Sequence, residues 1–144
     1  MRTTAEGFRF VHPVAVRFRD IDLGGHAHHS QVLIYIEEAR AEYWRRVAGR
    51  PTLEDVDYIL AEATVRFRQR VLYPDTLLVA VRATVLGKKH FEMEYEVRSG
   101  TGDLLATART VQVMYDYAAG STKRIPEDVA AALAEMDGPF ESGR

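Results

Sequence analysis

Residues 18 to 40 read FRDIDLGGHAHHSQVLIYIEEAR and concentrate groups able to do chemistry. Asp20 and Asp22 leave a strand-like stretch, Gly24 and Gly25 follow, and His26, His28 and His29 precede a helical pattern. A helix N-terminus presents unpaired N–H groups and the positive end of a dipole, which suits an oxygen that gains negative charge during a reaction. A carboxylate held beside it can act as nucleophile or as general base to water. The two glycines allow backbone to approach a substrate closely. The three histidines lack helical i, i+4 ligand spacing, and the chain has no cysteine to add a thiolate, so no metal site is expected.

The surrounding elements must hold this segment in place. Val14 to Arg19 alternates apolar with other residues and predicts a strand. Val32, Ile36, Ala39, Tyr43 and Val47 recur at helical spacing, which predicts a helix from near Ser30, its N-cap, to Val47, ended by Gly49 and Pro51. Its apolar band is wide, as expected of a helix wrapped by other elements. Four more strands are predicted over Tyr58–Arg68, Leu77–Val85, Phe91–Val97 and Leu105–Tyr115, with turns at Pro74-Asp75, Gly87-Lys88-Lys89 and Ser99–Asp103. Pro126-Glu127-Asp128 opens a short helix over Val129 to Met136, and the tail after Gly138 is expected to be disordered. Strand, helix, four strands and short helix make an α+β layer architecture with an antiparallel sheet. Its long strand edges, and a helix covered on one side only, predict at least a dimer.

The totals exclude several classes. A chain of 144 residues suits one domain, and 47% hydrophobic with 28% charged residues argues against extended disorder. Nineteen basic against 21 acidic residues create no strong field for nucleic acid or anionic membrane. The absence of cysteine removes disulfides and thiolate nucleophiles. No apolar run approaches the ~20 residues that span a bilayer, and the first ten residues do not read as a secretory signal. A soluble, cytoplasmic protein is the expectation.

Asp20-Ile21-Asp22-Leu23-Gly24-Gly25-His26 resembles the signature of the hotdog-fold acyl-CoA thioesterases of the 4-hydroxybenzoyl-CoA thioesterase type. The similarity extends through Glu37-Glu38-Ala39-Arg40, Phe67 to Asp75, Leu86-Gly87-Lys88-Lys89 and Ile125-Pro126-Glu127, in order over about residues 12 to 135. The resemblance implies a single hotdog domain over residues 1–144, a five-stranded antiparallel sheet wrapped around a long central helix. It implies hydrolysis of an acyl-CoA, with no bound cofactor or metal, by a homodimer or homotetramer. The family's carboxylate falls on Asp22. His29 falls at the helix start, its N–H set to polarise the thioester carbonyl and its imidazole to orient water or assist the leaving thiolate; His26 shapes the loop. At positions 28 to 32, where relatives often carry Asn and an aromatic, this chain has His28, His29, Ser30, Gln31 and Val32.

Other residues have two readings each. Asp20 is expected to be structural, bound to a backbone N–H or to Arg17 or Arg19. Lys88, Lys89 and His90 are a solvated turn or a contact for CoA phosphates, with Arg66, Arg68 and Arg70 as rivals. Tyr58, Tyr43 and Trp44 line an acyl pocket or pack in the core. Glu37 is a second candidate carboxylate, or an ion-paired partner of Arg40. A non-catalytic hotdog module that binds acyl-CoA, and a hotdog hydratase or dehydratase, are the alternative functions.

Overall fold

The computed structural model describes residues 7–52 and 55–140. Strand β1 (Phe10–Ala15) leads through a 3-10 turn at Phe18–Asp20 to helix α1 (His29–Arg46). There follow β2 (Tyr58–Phe67), β3 (Thr76–Leu86), β4 (His90–Arg98), β5 (Leu104–Asp116), β6 (Ser121–Thr122) and helix α2 (Glu127–Asp137). All pairings are antiparallel, in the order β1-β3-β4-β5-β2, with β6 on β5. The α+β architecture and antiparallel sheet are therefore those expected, with one strand more. The extra strand forms because Asp116 Oδ1 accepts the Ala118 and Ala119 N–H groups at 3.0 Å each, and Gly120 at φ +70° turns the chain back on β5.

The first strand lies earlier than the alternation of Val14 to Arg19 suggests. It pairs with β3 from Phe10 to Ala15 at a sheet edge, where Pro13 sacrifices no central ladder bond. Beyond it the Arg17 N–H donates to Asp20 Oδ2 at 2.9 Å, which folds the following residues into the 3-10 turn.

One face of the sheet and one flank of α1 build the core. Alternate residues of β4, Phe91, Met93, Tyr95 and Val97, are buried, as are Leu77, Val79 and Val81 of β3. From α1 they meet Val32, Tyr35, Ile36, Ala39, Tyr43 and Trp44. The Trp44 indole stacks on Phe91 at 5.1 Å and 6°, and Phe10 meets Tyr43 edge-on at 5.2 Å. The wide apolar band on α1 predicts wrapping, but its far flank is bare in the single chain: Leu33 and Ile34 are 41% and 42% exposed. Helix α1 has 18 residues, about 27 Å of rise, so it is of ordinary rather than exceptional length.

Helix α2 closes one side of the core with Val129 and Leu133, both buried. Asp137 at its end accepts from the Tyr43 hydroxyl and, at 2.9 Å, from the Ala83 N–H of β3. Burial and this carboxylate push the Tyr43 phenol well above its ordinary value. Of the tail predicted to be disordered, Phe140 packs half-buried against the core, and residues 141–144 lie outside the described residues. No described helix is long and apolar enough to cross a membrane.

Candidate active site

The chemistry-bearing loop is a tight hairpin. Asp22 N–H donates to the His26 carbonyl at 3.0 Å, Gly25 N–H donates to the Asp22 carbonyl at 3.1 Å, and Ile21 bridges to Ala27. Gly25 sits at φ +84°, a left-handed conformation that costs other residues about 1–2 kcal/mol. At Gly24 a Cβ would stand 3.2 Å from both Asp22 Oδ1 and His26 Nε2, so this glycine lets the carboxylate and the imidazole share one edge of the loop. Two further bonds fix the hairpin to its neighbours. Ala27 N–H donates to the Val71 carbonyl at 2.8 Å, and His28 N–H to the Asp20 carbonyl at 3.1 Å.

The two acids of the loop have opposite surroundings. Asp20 is 4% exposed, and its Oδ2 accepts from the Arg17 N–H at 2.9 Å and the Tyr35 hydroxyl at 2.8 Å, with Arg17 Nε at 3.7 Å. Burial works to raise its carboxyl, but these donors and the charges of Arg17 and Arg19 outweigh it and hold the group below the usual carboxylate range. The Tyr35 phenol is pushed up by its own burial and by Asp20. The structural bonding of Asp20 to a backbone N–H and to Arg17 follows the sequence expectation. Asp22 is half-buried and opens on a cleft, with Oδ1 held by the Gly24 N–H at 2.8 Å.

That cleft measures ≈ 290 Å³, and Asp22, His26, Ala27, His29 and Val32 form one wall. The other wall is Phe67, Arg68, Gln69, Arg70 and Val71, the connection between β2 and β3. The Arg68 and Gln69 N–H groups hold this connection to the Leu105 carbonyl at 2.8 and 3.1 Å. The Phe67 ring meets His29 edge-on at 6.2 Å. Phe67 and Gln69 were not candidates from sequence, because alternation in β2 says nothing about which helix end the strand passes. Arg68 and Arg70, rivals for phosphate contact, do line the cleft.

The helix that begins in this cleft starts two residues earlier than expected, its N-cap being His28 rather than Ser30. The His28 Nδ1 accepts from the Ser30 N–H at 3.1 Å and lies 2.8 Å from the Ser30 hydroxyl, while the His28 carbonyl accepts the Gln31 N–H at 2.9 Å. Among the described residues the His29 N–H meets no acceptor.

The remaining candidates lie elsewhere in the chain. Tyr58 is 7% exposed, with its ring edge-on to Trp44 at 5.0 Å and to Phe91 at 5.7 Å, and its hydroxyl accepts from Arg40 Nε at 3.3 Å. Tyr43 and Trp44 are fully buried core residues. Lys88 and Lys89 make an exposed turn between β3 and β4, closed by Gly87 N–H to the His90 carbonyl at 2.8 Å. The turn lies at the Tyr58 end of the sheet, since the Met114 N–H donates to the Lys89 carbonyl and Met114 pairs with Tyr58. Ten residues of β2 separate that end from Phe67, about 30 Å of strand. Within one chain the turn and the cleft therefore do not meet.

Glu37 is exposed, and Arg40 does not pair with it. Arg40 is buried and donates to the Tyr58 and Tyr95 hydroxyls at 3.3 Å each, while Glu38 meets His12 at 3.0 Å. Another concavity, of ≈ 340 Å³ on the outer sheet face, holds Arg82 bonded to Glu94 and Arg109 bonded to Glu62 and Glu92, and Arg66, the third rival for phosphate contact, lines it rather than the cleft.

A carboxylate beside an open helix N-terminus on one wall of a cleft, above an antiparallel sheet, defines a class, and comparison with known proteins gives it a name. The chain belongs to the Thioesterase-like superfamily, whose family model matches residues 16–133. Among solved structures it is similar to a thioesterase from Thermus thermophilus in complex with coenzyme A and zinc. That protein is 31% identical, the match covers 94% of this chain and 98% of that one, and the TM-score is 0.84. The fold is also shared with a 1,4-dihydroxy-2-naphthoyl-CoA thioesterase from Synechocystis, at 23% identity, 90% and 98% coverage and a TM-score of 0.77. A curated relative, the uncharacterized protein YsmA of Bacillus subtilis, is 23% identical over 113 residues, 78% of this chain and 77% of that protein. The zinc belongs to the Thermus complex; among the described residues of this chain no three His, Cys, Asp or Glu side chains are grouped to hold a metal ion.

Proposed function

We propose that the protein hydrolyses acyl-CoA thioesters, with Asp22 as the reacting carboxylate and the His29 N–H as the donor to the thioester oxygen. The observation that carries this reading is the shared cleft: Asp22 and the start of α1 line one wall, and the His29 N–H is free of any described acceptor. Membership of the thioesterase-like family supports hydrolysis, and the coenzyme A in the Thermus complex supports a CoA substrate.

In the general-base route Asp22 takes a proton from water as the water oxygen adds to the carbonyl carbon. The displaced π electrons collect on the carbonyl oxygen, where the N–H and the helix dipole stabilise them. The C–S bond then breaks, and the thiolate leaves as the thiol after taking up a proton, with His29 placed to assist. In the nucleophilic route an Asp22 oxygen adds instead, the thiolate leaves, and water hydrolyses the resulting mixed anhydride. Single turnover in ¹⁸O-water separates them, because only the second route can place the label in the Asp22 carboxylate.

The proposed assembly is at least a dimer joined along β2. This edge strand is exposed from Ile59 to Thr64, and Ile59, Leu60 and Phe67 add apolar surface beside the bare flank of α1. Antiparallel pairing of two β2 edges would set the Tyr58 end of one copy against the Phe67 end of the other. Lys88, Lys89 and His90 would then reach the partner's cleft, where CoA phosphates could use them, while Tyr58 would border the acyl end. The test is a panel of short, long and aromatic CoA thioesters with a thiol reagent. Thiol release lost in Asp22→Asn supports the reading; tight binding without thiol release across the panel supports an acyl-CoA-binding module instead.

A further inference from the structure

Three N–H groups at the start of α1 have no carbonyl four residues back to receive them. His28 disposes of two, taking the Gln31 N–H on its carbonyl at 2.9 Å and the Ser30 N–H on Nδ1 at 3.1 Å. The third, on His29, stays open beside the cleft. A helix is ordinarily capped by a side-chain oxygen, which accepts at any pH above the carboxylate range. An imidazole nitrogen accepts only while it keeps its lone pair, so this cap requires a neutral ring with its proton on Nε2.

We propose that His28 is a positioning residue for the reaction: its neutral ring closes the first turn of α1 and so keeps the His29 N–H aimed into the cleft. Protonation at Nδ1 would set a donor against the Ser30 N–H 3.1 Å away; the Ser30 hydroxyl, 2.8 Å away, can turn to accept, but the backbone N–H cannot and loses its cap. Protonation would also add positive charge at the positive end of the helix dipole. The turn would then open, and turnover would fall. The ring is coupled directly to the site, because it lies against the His29 ring with centroids 4.0 Å apart and planes tilted by 34°. The other ionisable groups nearby are Asp22, His26, Arg68 and Arg70 around the cleft, and Asp20, whose carboxylate faces Arg17 and Tyr35.

The inference rests on the hydrolase reading for its effect on turnover and on the hydrogen bonds alone for the cap, so its test has two arms. The first is the pH profile of kcat on a CoA thioester that the protein cleaves. His28→Asn keeps an acceptor that does not titrate and is expected to hold its turnover to lower pH, with an acid limb one proton shallower. His28→Ala is expected to lose roughly fivefold in kcat at neutral pH, the loss of one cap, and Asn to restore it. The second arm is ¹⁵N NMR of the histidine rings, in which His28 should show the Nε2–H tautomer with an accepting Nδ1 at neutral pH. A His28→Ala protein with the parent's kcat and acid limb overturns the proposal, and so does a His28 ring protonated on Nδ1 at neutral pH. A protein that cleaves no thioester overturns the hydrolase reading, and the tautomer then decides the cap by itself.

Discussion

Asp20 and Asp22 stand two residues apart in one loop, and their hydrogen bonds divide their roles. Asp22 keeps one oxygen on the Gly24 N–H and presents its carboxylate to the cleft, so Asp22→Asn should cut turnover by about 10²–10⁴-fold with an unchanged melting curve. Asp20 is committed to the fold. Removing one of its donors in Tyr35→Phe leaves a buried carboxylate short of a partner, and should lower unfolding free energy by about 1–3 kcal/mol in urea titration. The pH dependence has a definite sign. The native Asp20 carboxyl is held below its unfolded value, so its contribution is complete above the unfolded range, about pH 3.9, and is lost as pH falls through the lower native value. The stability gap between the parent and Asp20→Asn should therefore be constant from pH 5 to 7 and close on acidification below about pH 4.

At the level of elements, the loop between β1 and α1 works through glycine geometry. Gly25→Ala forces a side chain into φ +84°, and Gly24→Ala sets a Cβ 3.2 Å from both Asp22 and His26. Both variants should fold and bind CoA yet turn over slowly, read as a fall in kcat larger than any rise in KM. Much of this arrangement was legible in the chain itself. The strands announced themselves by alternation, because one face of β3 and β4 is buried residue by residue. The loop could be read because glycines, acids and histidines have few structural reasons to crowd together. What stayed hidden depended on contacts distant in sequence. Ser30 has the usual chemistry of a cap, but His28 takes the role because the Asp20 carbonyl receives its N–H and places its ring over the turn. Phe67 and Gln69 reach the cleft only because the connection after β2 is tied to Leu105 and Ala27, and no local pattern records such a tie.

On the scale of the whole molecule, the single chain has its cleft and its basic turn at opposite ends of β2. The proposed antiparallel pairing of two β2 edges resolves that separation and makes a monomer an incomplete enzyme. Leu60→Lys places a charge on the exposed edge, where Leu60 is 47% exposed, and costs the isolated chain little. Light scattering should show the parent as a dimer or larger and this variant shifted toward monomer, with thiol release falling in step. Dimers that persist with full activity would refute the β2 interface. Replacing Lys88 and Lys89 by Ala should raise KM for an acyl-CoA while leaving KM for the matching acyl-pantetheine unchanged, since only the former carries the nucleotide phosphates.

Trp44, the only tryptophan in the chain, lies fully buried against Phe91 and Tyr58, with its indole N–H on Asp57 at 3.1 Å. It therefore acts as a built-in optical reporter. Fifteen residues of α1 place it about 22 Å from His29, too far for an event in its own chain's cleft to perturb it strongly. It sits, however, beside Tyr58, at the end of β2 that the proposed pairing presents to the other copy. Its fluorescence should shift when subunits separate on dilution, and in the dimer it should respond when the acyl group or the nucleotide of an acyl-CoA fills the other copy's cleft. One emission spectrum thus reads assembly and the filling of the neighbouring copy's cleft, apart from events at Asp22 of its own chain.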